Sequence, residues 1–302
     1  SRLAERLVSS AQALGAMPGR TLSGARQGDW PAVKGYYRMI DKPDDAALTA
    51  QAILAPHRER TVQRMMGQST VLCIQDGTDL NYNQLDQCIG LGVLSKNQTG
   101  AKTRGLHLHS TFVVSTEGLP LGLLQAQFSA PEPKSKTDTR PQPSIPIEEK
   151  KTFAWIEGLR TCVELDKQLP GTRQICVMDR EADFFELFDE QRKTGKVDLL
   201  VRSKHDRVID DKAGHLFESV RDSPICGEMV IQVQRQSSRT KKSKQQAKPG
   251  HVQRSATVAV RYKEIELRPG VYQKNKAPIK LTVVHVQETI QPKDDEPVEW
   301  FL

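Results

Sequence analysis

The chain has 302 residues, of which 37% are hydrophobic and 27% are charged. This length suits one large or two smaller domains. No run approaches the roughly 18 apolar residues of a membrane span, and no signal segment opens the chain, so we expect no membrane partner. The formal net charge of +7 indicates a polyanionic partner.

The five cysteines are odd in number and lack CxxC spacing, which predicts neither a disulfide framework nor a zinc site. Cys73 and Cys176 lie in apolar runs, where cysteine behaves as a small apolar residue. We therefore expect a reducing, cytoplasmic location.

Residues 1–66 are predicted to form a helical domain. Apolar residues from Leu3 to Leu14 recur in steps of four and three, as on one face of a helix. Further along, residues 35–38 (Gly-Tyr-Tyr-Arg) set two aromatic rings beside a cation. Such a helix suits contacts with DNA. A packed pair of tyrosines in a core explains the same residues equally well.

Three strands are predicted next. Residues 71–74 form a short apolar run that ends at Asp76, in a polar and turn-rich segment. Residues 105–114 and 119–128 form a hairpin, and residues 90–104 form a long loop before it. These elements would place Asp76 at the end of the first strand.

His107 and His109 alternate with leucines on the second predicted strand and therefore share one face. Two histidines on one face are compatible with a metal site, but no third soft ligand accompanies them. We interpret them as solvent-facing structural histidines.

The most informative stretch is residues 178–183 (Met-Asp-Arg-Glu-Ala-Asp). The apolar run at 174–178 predicts a buried strand, and apolar residues at every third position from Ala182 to Phe188 predict a helix. Asp179 lies between them, at the edge where α/β sheets bind ligands. The alternative is that Asp179 is only the N-cap of that helix.

Asp76 and Asp179 thus both follow buried strands. If these strands are neighbours, the two carboxylates converge. Paired carboxylates are hard oxygen ligands suited to Mg²⁺ or Mn²⁺. Two such ions roughly 3.5–4 Å apart can activate a water and stabilise the leaving oxygen of a phosphodiester. The pair therefore predicts metal-dependent phosphodiester chemistry.

The C-terminal part, residues 227–302, is predicted to be rich in β-strands, with runs at 229–234, 256–262 and 279–286. Nine Lys or Arg residues and no Asp or Glu lie between Met229 and Lys263, more charge than the whole chain carries net. This basic window predicts phosphate contacts. A solvated hairpin tip is the alternative.

Several of these stretches together resemble the DDE transposases of the insertion-sequence-four family, the group typified by the transposase of transposon five. The matches occur in order along the chain, at residues 35–40, 74–82, 119–124, 178–183 and 201–205 (Val-Arg-Ser-Lys-His). The resemblance implies an α/β fold, with a ribonuclease-H-like core over 67–226. It also implies a helical DNA-binding domain over 1–66 and a β-rich insertion over 227–302.

The resemblance implies cut-and-paste transposition, in which an enzyme cleaves transposon ends and transfers the strands to target DNA. Asp76 and Asp179 would be catalytic residues and ligands of Mg²⁺, for which Mn²⁺ can substitute. The partners would be double-stranded DNA and, in the full-length family enzyme, a second subunit in a homodimer. The location would be the bacterial cytoplasm, on the nucleoid.

DNA-binding residues are also expected. Those implied by the resemblance are Tyr36, Arg38, Arg202, Lys204 and Trp300, and those in the basic window are Lys241, Lys242 and Lys244. Trp300 would stack on a base flipped out of the duplex. A salt bridge for Arg202, a solvated strand end for Lys204 and packing within the insertion for Trp300 are the alternatives.

The sequence departs from the family at the third acid, a glutamate in a Tyr-x2-Arg-x3-Glu-x6-Lys motif. Glu288, Glu296 and Glu299 lack Tyr and Arg at the required offsets. We therefore expect the final catalytic helix and the C-terminal dimerisation domain to be absent, and this form to be inactive or weakly active alone. A non-catalytic DNA-binding or inhibitor derivative of a transposase, or another ribonuclease-H-like nuclease, remains open.

Overall fold

A computed structural model gives the fold, and it describes residues 2–41, 49–85, 87–96, 102–132, 138–209, 214–236, 250, 252–292 and 295–302. The chain divides into two compact units, residues 1–60 and 61–302, and the division falls within a helix.

The first unit is helical, with α1 (Arg2–Ala16), α2 (Leu22–Ala25), α3 (Trp30–Ile40) and the beginning of α4 (Ala50–Met65). Asp29 caps α3 by accepting a hydrogen bond from the backbone N–H of Ala32 at 3.1 Å, which satisfies a free helix donor. The α3 helix contacts α1 and α2 and buries Val33 and Met39.

The second unit contains ten strands and three further α-helices in its described part. In chain order they are β1 (Thr70–Asn81), β2 (Gly92–Lys96), β3 (Lys102–Ser115), β4 (Pro120–Ser129), α5 (Phe153–Leu165), β5 (Arg173–Met178), α6 (Phe185–Thr194), β6 (Asp198–Val201), α7 (Leu216–Arg221), β7 (Ile225–Val233), β8 (Arg254–Leu267), β9 (Ile279–Glu288) and β10 (Glu299–Phe301).

Six of the strands form a mixed sheet in the order β2-β3-β1-β5-β6, with β4 also paired to β3. The strands β1, β5 and β6 are parallel, whereas β3 is antiparallel to β1, β2 and β4. Parallel strands need crossover connections, and α6 supplies the one between β5 and β6. The predicted α/β class is therefore confirmed.

One face of this sheet packs on α5. Alternate residues of β1 (Val71, Cys73 and Gln75) are buried there, and α5 buries Trp155, Leu159 and Cys162 on its side. On the opposite face Ile74, Phe112 and Leu200 keep 37–39% of their surface exposed. This alternation follows from the two-residue period of a strand. We call the second side the open face.

The other four strands form an antiparallel sheet in the order β10-β9-β8-β7. Its core joins residues of α6 and α7 to residues of β8, β9 and β10, among them Phe185, Val220, Ile265, Val283 and Phe301. At the far edge, β7 stands clear of this core, because Ile225, Met229 and Val230 are each more than half exposed.

Three predicted boundaries are wrong. The first strand does not end at Asp76 but continues to Asn81, because β3 pairs with it as far as Asn81 opposite Gly105. The predicted loop at 90–104 contains β2. The helix after Asp179 begins at Phe185, and Ala182 belongs to a separate 3-10 turn.

Candidate metal and nucleic-acid site

The pairing of β1 with β5 places Asp76 and Asp179 at the same level. The parallel ladder ends at Ile74 opposite Val177, and the two aspartates lie two residues further along each strand. Asp179 keeps an extended backbone, with φ −82° and ψ −171°. Because strand side chains alternate, both carboxylates belong to the open face, on neighbours roughly 5 Å apart.

Arg202 extends this row by one strand. The ladder between β5 and β6 ends at Met178 opposite Val201, so Arg202 lies level with Asp179. The Arg202 backbone N–H donates to the Met178 carbonyl at 3.1 Å. Burial and the charge of Arg180 lower the pKa of the Arg202 guanidinium, and the charge of Asp179 opposes them. A cation thus lies beside the carboxylate pair.

Each aspartate uses one oxygen locally. Asp76 Oδ1 accepts a hydrogen bond from the Gly77 N–H and Asp179 Oδ1 accepts one from the Glu181 N–H, both at 2.8 Å. Asp179 therefore does cap a turn, but the turn is the 3-10 segment Arg180–Ala182 and not α6. Both residues are exposed, and neither has an ion-pair partner among the described residues. Their remaining oxygens can accept a ligand.

This donor set fits a hard divalent cation. Carboxylate oxygens are the ligands that Mg²⁺ prefers, and Mg²⁺ usually keeps several waters besides one or two carboxylates. Within the described ranges, no cluster of three or more His, Cys, Asp or Glu residues could hold a metal ion. Asp76 and Asp179 would therefore be the only acidic side chains on the ion in that part of the chain.

On the helix-covered face, His109 is 1% exposed and Gln75 is 2% exposed. The amide nitrogen of Gln75 donates to His109 Nε2 at 3.0 Å and to the Trp155 carbonyl at 3.3 Å, and its oxygen accepts from the Leu159 N–H at 3.3 Å. The His109 and Trp155 rings meet edge to face at 4.6 Å. The prediction that His109 faces solvent is wrong, because α5 covers that side.

His107 is also buried, at 5% exposure, so the same prediction is wrong for it. Its Nδ1 lies 2.8 Å from Asp79 Oδ1, and Lys151 Nζ lies 3.3 Å from the same oxygen. Burial raises the pKa of Asp79, but the hydrogen bonds and charges of His107 and Lys151 outweigh that effect and hold the pKa below its usual value. Gly77 makes room for this ring, since a Cβ there would lie 2.8 Å from His107 Cε1.

His109 gives a pH-dependent stability. Burial lowers its pKa to about 4, His107 adds to the effect, Asp179 opposes it and Lys151 adds further. The unfolded chain, with a histidine pKa near 6.5, binds the proton more tightly. We expect up to about 3 kcal/mol of unfolding free energy, present above pH 6.5, to be lost as the pH falls toward 4.

Urea unfolding between pH 7 and pH 4 measures this loss. The variant His109→Gln should flatten the profile over that interval. The control is His215→Gln, since His215 is an exposed histidine of the same unit. An unchanged profile in His109→Gln would show that other groups cause the acid sensitivity.

The remaining predicted DNA-binding residues lie at several places. Lys204 is exposed in the loop after β6. Trp300 lies on β10 opposite Val286 and is 39% exposed, which leaves part of its ring free to stack. Lys241, Lys242 and Lys244 lie outside the described residues. The strands that flank them, β7 and β8, pair antiparallel.

In the first unit Arg38 is exposed, whereas Tyr36 is half-buried and meets Tyr37 edge to face at 5.8 Å. The more exposed aromatic rings are Trp30 at 61% and Tyr37 at 55%. Trp30, Lys34, Tyr37 and Arg38 follow the helical spacing of one face. The sequence prediction covers Tyr37 in the stretch 35–38 but names Tyr36 as the DNA-binding residue, and it does not include Trp30, although this spacing in the sequence indicates both.

No protein-family model matches the chain. None of the helices in the described ranges has the length and apolar character needed to cross a bilayer. What characterises the site is its geometry, a row of Asp76, Asp179 and Arg202 across three parallel strands.

Proposed function

We propose that this chain is a DDE transposase of the insertion-sequence-four type. It would bind double-stranded DNA and catalyse metal-dependent phosphodiester cleavage and strand transfer at transposon ends. The observation that carries the proposal is the level alignment of Asp76 and Asp179 on adjacent parallel strands, with Arg202 beside them. Two carboxylates suit a divalent cation, and the arginine suits the phosphate that the cation would act on.

The strand order also supports the proposal. A ribonuclease-H-like core is expected to run strand, hairpin, helix, strand, helix, strand. The elements β1, β3 with β4, α5, β5, α6 and β6 follow that order, with β2 added before the hairpin. The antiparallel sheet that follows agrees with a β-rich insertion.

Asp76 and Asp179 would hold the cation through the oxygens that their local hydrogen bonds leave free. When bound, a divalent cation acts as a Lewis acid that lowers the pKa of a coordinated water and stabilises charge on the leaving oxygen. The protein itself contributes by holding the two ligands on rigid strands and by neutralising the phosphate with Arg202. Rigid placement is what makes such charge stabilisation effective.

A second candidate is DNA binding without cleavage. One observation favours it, since the described residues contain no group of three or more His, Cys, Asp or Glu side chains that could hold a metal ion. An ion held by two acidic ligands is bound less firmly and with less fixed geometry than one held by three. Mn²⁺ tolerates imperfect oxygen sites better than Mg²⁺, whose octahedral demand is strict.

Nicking of a supercoiled plasmid separates the two candidates. The transposase proposal predicts nicked circles with Mn²⁺ and fewer with Mg²⁺, and it predicts none for Asp179→Ala. The matched control is Glu181→Gln, which removes an exposed acid two residues away. Binding without nicking in either metal would favour the second candidate. Nicking that persists in Asp179→Ala would place the activity elsewhere.

The basic window is expected to contact phosphate without reading sequence. Changing Lys241, Lys242 and Lys244 to glutamine should weaken binding to all duplexes alike and reduce the slope of log K against log salt by about 0.9 for each phosphate that is no longer neutralised. Fluorescence anisotropy from 50 to 200 mM salt measures the slope. The control changes Lys167 in the 3-10 turn Asp166–Gln168, Lys193 in the last turn of α6 and Lys196 just before β6. Equal slopes in the two triple variants would mean that the basic window does not contact phosphate, as expected of a solvated hairpin tip.

A further inference from the structure

Asp183, the last residue of the stretch 178–183, is 5% exposed and is bound from several directions. Its Oδ2 accepts from the backbone N–H groups of Lys204 at 2.7 Å and His205 at 3.1 Å, and from Ser203 Oγ at 3.4 Å. Its Oδ1 lies 2.7 Å from Arg207 Nη1. One buried carboxylate therefore binds four residues of a single loop.

That loop, residues 202–207, follows β6 and belongs to no helix or strand. It carries both Arg202 and Lys204. Carboxylate hydrogen bonds to consecutive N–H groups are charge-assisted and about twice as strong as neutral ones. They restrict the backbone between Ser203 and His205, so the directions of the flanking cations depend on Asp183.

The loop is anchored on its other side as well. The Ser203 N–H donates to the Phe301 carbonyl at 2.8 Å, which joins the loop to β10 next to Trp300. Arg207 Nη2 donates to the Asp183 backbone carbonyl at 2.9 Å, a second contact between the end of the loop and Asp183. The Arg207 side chain is 22% exposed, and removing the Asp183 charge would leave its guanidinium without the carboxylate that it pairs with.

We propose that Asp183 is a positioning residue that holds Arg202 and Lys204 where they bind a DNA phosphate. The proposal rests on the proposed function, because phosphate is the ligand that the two cations would share. Asp183 itself does not touch DNA. It acts through the loop, in the way that residues behind a binding site fix the groups that make contact.

A purely structural ion pair is the competing explanation, and Asp189 provides a matched control. Asp189 is 4% exposed, lies on α6 in the same unit, and pairs with Arg192 and with Lys276 at 2.8 Å. Its contacts do not involve the loop at 202–207. The variant Asp189→Asn therefore removes a buried, paired carboxylate without loosening Arg202.

The experiment compares Asp183→Asn, Asp189→Asn, Arg202→Gln and the double variant Asp183→Asn/Arg202→Gln. Anisotropy with a labelled duplex gives DNA affinity, and hydrogen exchange gives the protection of the Lys204 and His205 amides. We expect Asp183→Asn to speed exchange of both amides by about tenfold or more and to weaken DNA binding by about fivefold or more, as loss of a charged partner does. Asp189→Asn should change neither the amide exchange nor the DNA affinity, even if it lowers the melting temperature as much as Asp183→Asn does.

The double variant decides whether Asp183 acts through Arg202. Residues that act through one another give non-additive losses, so the loss of DNA affinity in the double variant should be smaller than the sum of the two single losses, the remainder being the part that acts through Lys204. Additive losses, unchanged amide exchange in Asp183→Asn, or an equal loss of affinity in Asp189→Asn would each overturn the positioning role. A wild-type chain that binds no DNA would overturn the proposed function, and the positioning role with it, and this is seen before any variant is made.

Discussion

Replacing Asp179 with asparagine is expected to weaken Mn²⁺ binding by about tenfold or more, and replacing both Asp179 and Asp76 is expected to abolish it. The reason is that these two exposed carboxylates lie level on neighbouring strands and are the acidic ligands that the site offers in the described part of the chain. Asparagine keeps the shape but removes the charge that a hard cation requires. Titration calorimetry or the Mn²⁺ electron paramagnetic resonance signal measures the affinity.

The control for that measurement is again Glu181→Gln. Glu181 is exposed and lies two residues from Asp179, so its replacement removes the same charge from nearly the same region. General loss of negative potential would affect the two single variants, Asp179→Asn and Glu181→Gln, alike. Affinities for Asp179→Asn and Glu181→Gln that agree within about twofold would mean that the aspartates do not ligate the ion.

Gly158→Ala is expected to destabilise the second unit by about 2 kcal/mol or more. Alanine normally stabilises a helix interior by about 1 kcal/mol relative to glycine. At this position, however, a Cβ would lie 2.3 Å from the amide atom of Gln75 that bonds His109 and 2.6 Å from the Gln75 Cδ. Gln75 cannot move aside cheaply, because it is buried and hydrogen-bonded to His109 and α5. Overpacking of this kind typically costs about 1–3 kcal/mol.

The same substitution in α1 is the control. At Gly15 a Cβ would meet nothing within 4 Å, so Gly15→Ala should be neutral or stabilising. Urea unfolding followed by near-ultraviolet circular dichroism, to which the buried Trp155 contributes, reports the second unit. A Gly158→Ala protein as stable as the wild type would show that α5 can move away from the sheet.

The candidate site was largely predictable, because each aspartate follows a short apolar run and such runs predict buried strands. The register between the strands was not predictable. It depends on the crossover between β1 and β5, and a shift of one residue would have sent the two carboxylates to opposite faces. The parallel ladder that ends at Ile74 opposite Val177 excludes that shift.

The end of β1 could not be predicted for a related reason. Beyond Ile74 the apolar run ends although the strand continues, because Gln75 on its covered face is polar and pairs with His109. The alternation of histidine with leucine in β3 fits either orientation. The structure turns Leu106 and Leu108 toward the half-exposed open face and the histidines toward α5, a choice made by tertiary packing.

The exposed edge of β7 bears on how the protein behaves at high concentration. Its nine residues carry one charge, Glu228, and Met229 and Val230 project from opposite faces with more than half of their surface in water. An apolar edge strand with few charges is a template for pairing with another chain, and natural sheets usually blunt such edges with lysine or proline. We therefore expect pairing at this strand to lower the colloidal stability of the purified protein, and Val230→Lys to improve it.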